Sequence, residues 1–133
     1  MILIRLGTLA CALLLVVGAV VAEDKPDPRE QLATAITEGI RLLEAKDYER
    51  FLQDFVPPED FKRITQKRPL VEFAAGFGQE KATQLLEVLK EIKDAKPMLD
   101  EAGNKATFAI NEEIAGKKTV TFRKVEKYWY IQN

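Results

Sequence analysis

Ala106-Thr107-Phe108-Ala109-Ile110, Val120-Thr121-Phe122-Arg123 and Tyr128-Trp129-Tyr130-Ile131 decide the architecture of this chain. In each run large apolar side chains alternate with polar or smaller ones. That period of two predicts strands with one apolar face and one mixed face. Met98-Leu99 begins a fourth strand and turns through Ala102-Gly103-Asn104 into the next. Short connections at 111–116 and 125–127 make the set an antiparallel meander. The predicted outward face carries Thr107, Thr119, Thr121, Arg123, Tyr128 and Tyr130.

Upstream of Pro97 the period is helical. Asp27-Pro28-Arg29-Glu30 has the form of a capped helix start, with Pro28 at the first helical position. Leu32, Ile36, Ile40 and Leu43 continue that helix to about Ala45. Asp47 caps a shorter helix bearing Tyr48, Phe51, Leu52 and Phe55, which ends at Val56-Pro57-Pro58. A third helix buries Phe61 and Ile64. A fourth begins at Pro69, carries Leu70, Phe73 and Phe77, and closes at Gly76 to Gly78. The last, over 79–93, shows Ala82, Leu85, Leu86, Leu89 and Ile92 on one face. Helices first and a one-sided sheet of three to four strands afterwards predict an α+β fold. The helical stripes cover the sheet face that carries Phe108, Ile110, Val120, Phe122, Trp129 and Ile131.

The first 22 residues are of a different kind. Arg5 is followed by an uncharged, mostly apolar run from Leu6 to Ala22, and Glu23-Asp24-Lys25-Pro26-Asp27-Pro28 is polar. This is the pattern of a secretory signal, with cleavage after Ala22 and small side chains at Val20 and Ala22. The competing readings are an uncleaved membrane anchor, since the run reaches the bottom of the spanning range, and lipid modification of Cys11. Ten further apolar residues after Cys11 speak against the second. The organisation expected is therefore a signal peptide over 1–22, a short linker over 23–28 and one α+β domain over 29–133. The protein is expected in the periplasm or outside the cell, touching membrane only if the signal is retained.

Composition narrows the chemistry. Removing residues 1–22 takes one basic residue, Arg5, from 20, and none of the 21 acidic ones, so the mature chain nets −2. Near balance gives no basic stripe for nucleic acid. The chain contains no His and no Ser, and its single Cys lies in the signal. Ser–His and Cys–His nucleophilic sites are excluded within the chain, and zinc loses its principal ligands. Enzymatic activity and a cofactor are not expected. A carboxylate-based lyase or isomerase is the surviving catalytic alternative and needs a buried acid, with Asp54, Asp100 and Glu101 the open placements.

Local motifs have plain explanations. Gly76-Phe77-Gly78 lacks the preceding strand and third glycine of a phosphate loop. Lys62, Arg63, Lys67 and Arg68 read as a solvated helix face beside Glu59 and Asp60. Asn111-Glu112-Glu113 lacks the spacing of a calcium loop and reads as a hairpin turn.

Residues 124–131, Lys-Val-Glu-Lys-Tyr-Trp-Tyr-Ile, resemble the closing strand of the nuclear-transport-factor-2-like (cystatin-like) superfamily. Residues 43–51 are similar to the break between that superfamily's first two helices. The resemblance implies a curved sheet wrapped around helices, often enclosing an apolar pocket. Members include small-ligand binders, isomerases and dehydratases. Here Glu126-Lys127 replaces the usual glycine of the last turn, and the strands usually preceding the last helix are not evident. The family's catalytic Asp/His arrangements have no His to receive them.

Two binding roles follow. One is a small apolar ligand held between helices and sheet by Tyr48, Phe108, Phe122 and Trp129. The other is a structural or protein-contact role at the cell envelope through the outer sheet face, where Tyr and Arg suit an interface. Native mass spectrometry of the protein isolated from its host is expected to give a chain beginning at Glu23. A mass retaining residues 1–22 overturns the signal reading.

Overall fold

The computed structural model describes residues 26–114 and 116–132, so the expected signal segment and the first half of the linker lie outside the described residues. Five α-helices precede a four-stranded antiparallel sheet, the predicted α+β arrangement. The helices are α1 (Leu32–Glu44), α2 (Tyr48–Phe55), α3 (Pro58–Lys67), α4 (Leu70–Glu80) and α5 (Ala82–Ile92). The strands β1 (Met98–Leu99), β2 (Lys105–Ile114), β3 (Lys117–Val125) and β4 (Tyr128–Gln132) lie side by side in chain order.

Three local predictions are corrected. The capping box of Asp27 and Glu30 forms, but it opens a single 3₁₀ turn, Pro28–Glu30. Gln31 is extended (φ −122°, ψ 141°) and separates that turn from α1. The glycines at 76 and 78 do not end α4, which runs through them to Glu80. Gly78 is there for space, because a Cβ on it would lie 2.5 Å from Cε2 of Tyr48. The segment Asn111-Glu112-Glu113 is strand and not turn, since β2 continues to Ile114 past a register shift after Ala109.

The ends of the shorter elements follow from their residues. Helix α1 closes with Lys46 in the left-handed region (φ 60°), its N–H donating to Leu43 O and that of Asp47 to Leu42 O. These are the paired bonds of a Schellman motif, built here without glycine. The Asp47 carboxylate then accepts from Arg50 N and caps α2. Glu126 also sits at φ 60°, filling the place in the β3–β4 turn where a glycine is usual.

Packing follows the two periodicities. From the sheet, Ala106, Phe108, Ile110, Phe122 and Trp129 are buried, with Val120 and Ile131 half-buried beside them. From the helices come Ile36, Leu42, Phe51, Phe55, Leu89 and Ile92. Gly39 lets α1 approach its neighbours closely: a Cβ there would sit 3.2 Å from Leu89 Cδ1 and 3.4 Å from the Phe51 ring. Rings of Phe51 and Phe77 stack at 5.7 Å and tie α2 to α4. Helix α3 buries no residue fully; its Phe61 and Ile64, expected in the core, are half-buried.

One side chain ties the start of the domain to its end. Arg29 donates from Nε and Nη2 to the two oxygens of Asp27, each at 3.1 Å, and from Nη1 to the Asp54 carbonyl at 3.2 Å. Its guanidinium lies 4.1 Å from the centroid of the Tyr128 ring. The 3₁₀ turn, α2 and β4 are thereby joined through a planar group suited to forked donation and ring stacking. The Arg29 hydrogen bond holds the Asp27 carboxyl below its ordinary range. That contribution is complete above the unfolded carboxyl value and is lost as pH falls through the lower folded one. Arg29→Ala is expected to cost about 1–3 kcal/mol in urea unfolding at neutral pH. The difference from the unaltered protein should shrink once the pH drops below 3.8; an equal difference at every pH would refute the Asp27 contribution.

Candidate functional site

The same alternation that sends Phe108 and Phe122 inward sends their neighbours outward, and the strand register sorts these into rows. Ala109 faces Thr119, and Thr107 faces Thr121, which faces Gln132. Lys105 faces Arg123, which faces Tyr130; Val125 faces Tyr128. The outward residues predicted from sequence, Thr107, Thr119, Thr121, Arg123, Tyr128 and Tyr130, thus share one face.

Aromatic and cationic groups dominate one end of this face. Tyr128 is half-buried, with Arg29 over its ring and Lys127 Nζ 5.4 Å from the same centroid. Tyr130 is only 7 % exposed. Burial pushes its phenol above the ordinary value, against the opposing pull of the Arg29 charge. Arg123 is half-buried, and its Nε is fully covered with no hydrogen-bond partner. A shallow depression of about 370 Å³ lies alongside, lined by Pro58, Val125, Glu126, Lys127, Tyr128 and Tyr130.

The four residues expected to line an apolar pocket are placed differently from one another. Phe108, Phe122 and Trp129 lie in the core at 2 %, 1 % and 6 % exposure, with the two Phe rings edge-to-face at 6.0 Å. None of the three borders the Tyr128–Tyr130 depression. Tyr48 makes its ring contact elsewhere, edge-on to Phe77 at 5.9 Å. It borders a second open depression, of about 450 Å³, with Lys46, Asp47, Glu49, Val71, Ala74 and Ala75.

Among the described residues, the acidic side chains offer little to acid–base chemistry. Among the described residues no polar or charged side chain is fully buried, and no group of three metal-ligating side chains assembles. Asp54 pairs with Arg50 at 2.8 Å on the surface. Asp100 accepts from the Asn104 and Lys105 amides, and Glu101 is exposed in the same turn. The carboxyls with a distinct shift, Asp27 and Glu38, are both lowered, chiefly by hydrogen bonds from Arg29 and Arg41. A general acid working near neutrality needs the opposite shift.

Neither Arg29 nor Lys105 is marked as a site residue by the sequence. Arg29 read as part of a helix start, and nothing in its spacing marks a partner at Tyr128. Lys105 precedes the alternating run by one residue, and only the β2–β3 register shows that it faces Arg123. No family model matches the chain, and no curated protein or solved structure matches it.

Trp129 is the only tryptophan, so its emission reports the helix–sheet interior alone. Emission is expected at short wavelength and unchanged by a hydrophobic probe such as a naphthalene sulfonate. A probe-dependent shift in the folded protein would show that the interior admits a ligand.

Proposed function

We propose that this is an exported, non-enzymatic domain that contacts another protein of the cell envelope through the outer face of its sheet. The observation that carries the proposal is the gathering of Arg123, Tyr128 and Tyr130 on that face, beside an open depression. Tyr and Arg anchor protein interfaces because they bring large area and directional donors at modest entropic cost. The rows of Thr107, Thr119 and Thr121 supply a polar rim around them. The burial of Phe108 and Phe122 between helices and sheet supports the same reading.

The competing proposal, a small apolar ligand between helices and sheet, requires Phe108, Phe122 and Trp129 to part. Kinship with the nuclear-transport-factor-2-like superfamily belongs to the same proposal and rests on residues 43–51 and 124–131. Export rests on the signal pattern of residues 1–22. Among the described residues, no helix is long and apolar enough to cross a membrane.

The test is photo-cross-linking in the native host with p-benzoylphenylalanine at Tyr128, compared with the same group at Thr83, exposed on α5. One discrete adduct from Tyr128 and none from Thr83 is the expected outcome. Adducts from both positions alike, or from neither, would remove the outer face as the contact surface.

A further inference from the structure

Lys105 and Arg123 stand directly opposite one another on the outer face of β2 and β3. Like charges in that position destabilise a sheet. Neither cation forms an ion pair with a described residue, whereas Arg29, Arg41, Arg50 and Arg63 each hold a carboxylate. Among the paired residues of β2, β3 and β4, from the Ala109–Thr119 row to the Val125–Tyr128 row, no outward side chain is acidic, and the carboxylate of Asp100 beside Lys105 is taken up by the Asn104 and Lys105 amides. The Arg123 Nε–H is moreover buried without an acceptor, and leaving such a charged donor unsatisfied is costly. The opposed pair of cations thus calls for an anion on the outer face, and the orphaned donor leaves the Arg123 guanidinium the more in need of one.

The surroundings select the kind of anion. Tyr130 continues the Lys105–Arg123 row, and the depression beside it has an apolar floor of Val125, Pro58, Tyr128 and Tyr130, with the charged Glu126 and Lys127 also lining it. A free anion has no use for that apolar floor. A peptide carrying a carboxylate next to an apolar or aromatic side chain uses both parts. We propose that the outer face receives an acidic segment of the partner protein. A carboxylate lies between Lys105 and the Arg123 guanidinium, and a neighbouring side chain enters the Tyr128–Tyr130 depression. This rests on the protein-contact reading and specifies the partner's chemistry.

The proposal separates binding from stability. Replacing either cation relieves their repulsion in the free protein while removing a ligand for the carboxylate. The experiment titrates the isotopically labelled protein with a short polyglutamate peptide. Polyglutamine of equal length and inorganic phosphate serve as controls, and the Arg123 Nε–Hε and Tyr130 amide resonances are followed by NMR. Polyglutamate is expected to shift both resonances and the controls to leave them in place. Arg123→Gln and Lys105→Gln should each weaken the binding by roughly tenfold, as loss of one member of a charge pair does. Neither variant should lower the melting temperature. Lys105 is exposed, so its variant keeps the test decisive if Arg123→Gln does not fold.

Polyglutamate without effect, or variants that bind undiminished, would overturn the proposal. Phosphate shifting the same resonances as strongly would also overturn it, showing a site for free anions. A partner cross-linked at Tyr128 with polyglutamate silent would refute the acidic chemistry alone and leave the contact surface intact. Polyglutamate binding with no cross-linked partner would refute the protein contact itself.

Discussion

The inner face of the sheet cannot stand in water, and the rest of the molecule is arranged around covering it. Phe108, Phe122 and Trp129 present more apolar area than a four-stranded meander can hide by itself. Helix α5 lies on β2, and α1 packs against α5. Leu89 and Ile92 are wholly buried on one, and Ile36 and Leu42 nearly so on the other. Their close approach depends on Gly39, where any side chain would push against Leu89 and Phe51. Helices α2 and α4 then join this layer by ring stacking, and α3 adds only half-buried side chains at the margin. Phe108, Phe122 and Trp129 are thus taken up in packing under the helices.

Much of this was legible in the sequence because burial writes itself into periodicity. The alternation from Ala106 to Ile110 and the repeat from Leu32 to Leu43 each reflect one face meeting the core, so both read correctly. Glycine was harder. At 76 and 78 it looked like punctuation, whereas Gly78 sits mid-helix to admit a tyrosine ring from another element. Local sequence does not distinguish a glycine that ends a helix from one that makes room for a neighbour. Strand ends were similarly hidden: β2 extends to Ile114 because the ladder is built from backbone groups and does not need apolar side chains.

The outer face was half legible. Its members follow from the alternation, yet which residue stands opposite which depends on register, and β2 and β3 carry a shift after Ala109. Lys105 facing Arg123 is invisible until the strands are aligned. The same holds for Arg29, whose partners Asp54 and Tyr128 come from distant parts of the chain. The four aromatics singled out as pocket lining were a reasonable group by composition. Composition, however, does not say that the ring of Tyr48 turns towards Phe77 while three others fill the space under the helices.

The Arg29 clamp also sets a clock. Its guanidinium belongs to the first turn of the domain, and the ring it rests on belongs to the last strand. A chain that emerges from its N-terminus, whether from the ribosome or through a membrane channel, presents Arg29 early and Tyr128 nearly last. The clamp cannot close in the interval, and β3 waits with one edge open for the strand that shields it. Completion is thus a late event that draws both ends of the domain together at once. A fragment stopping short of residue 128 loses its final strand and, with it, the anchor of its opening turn.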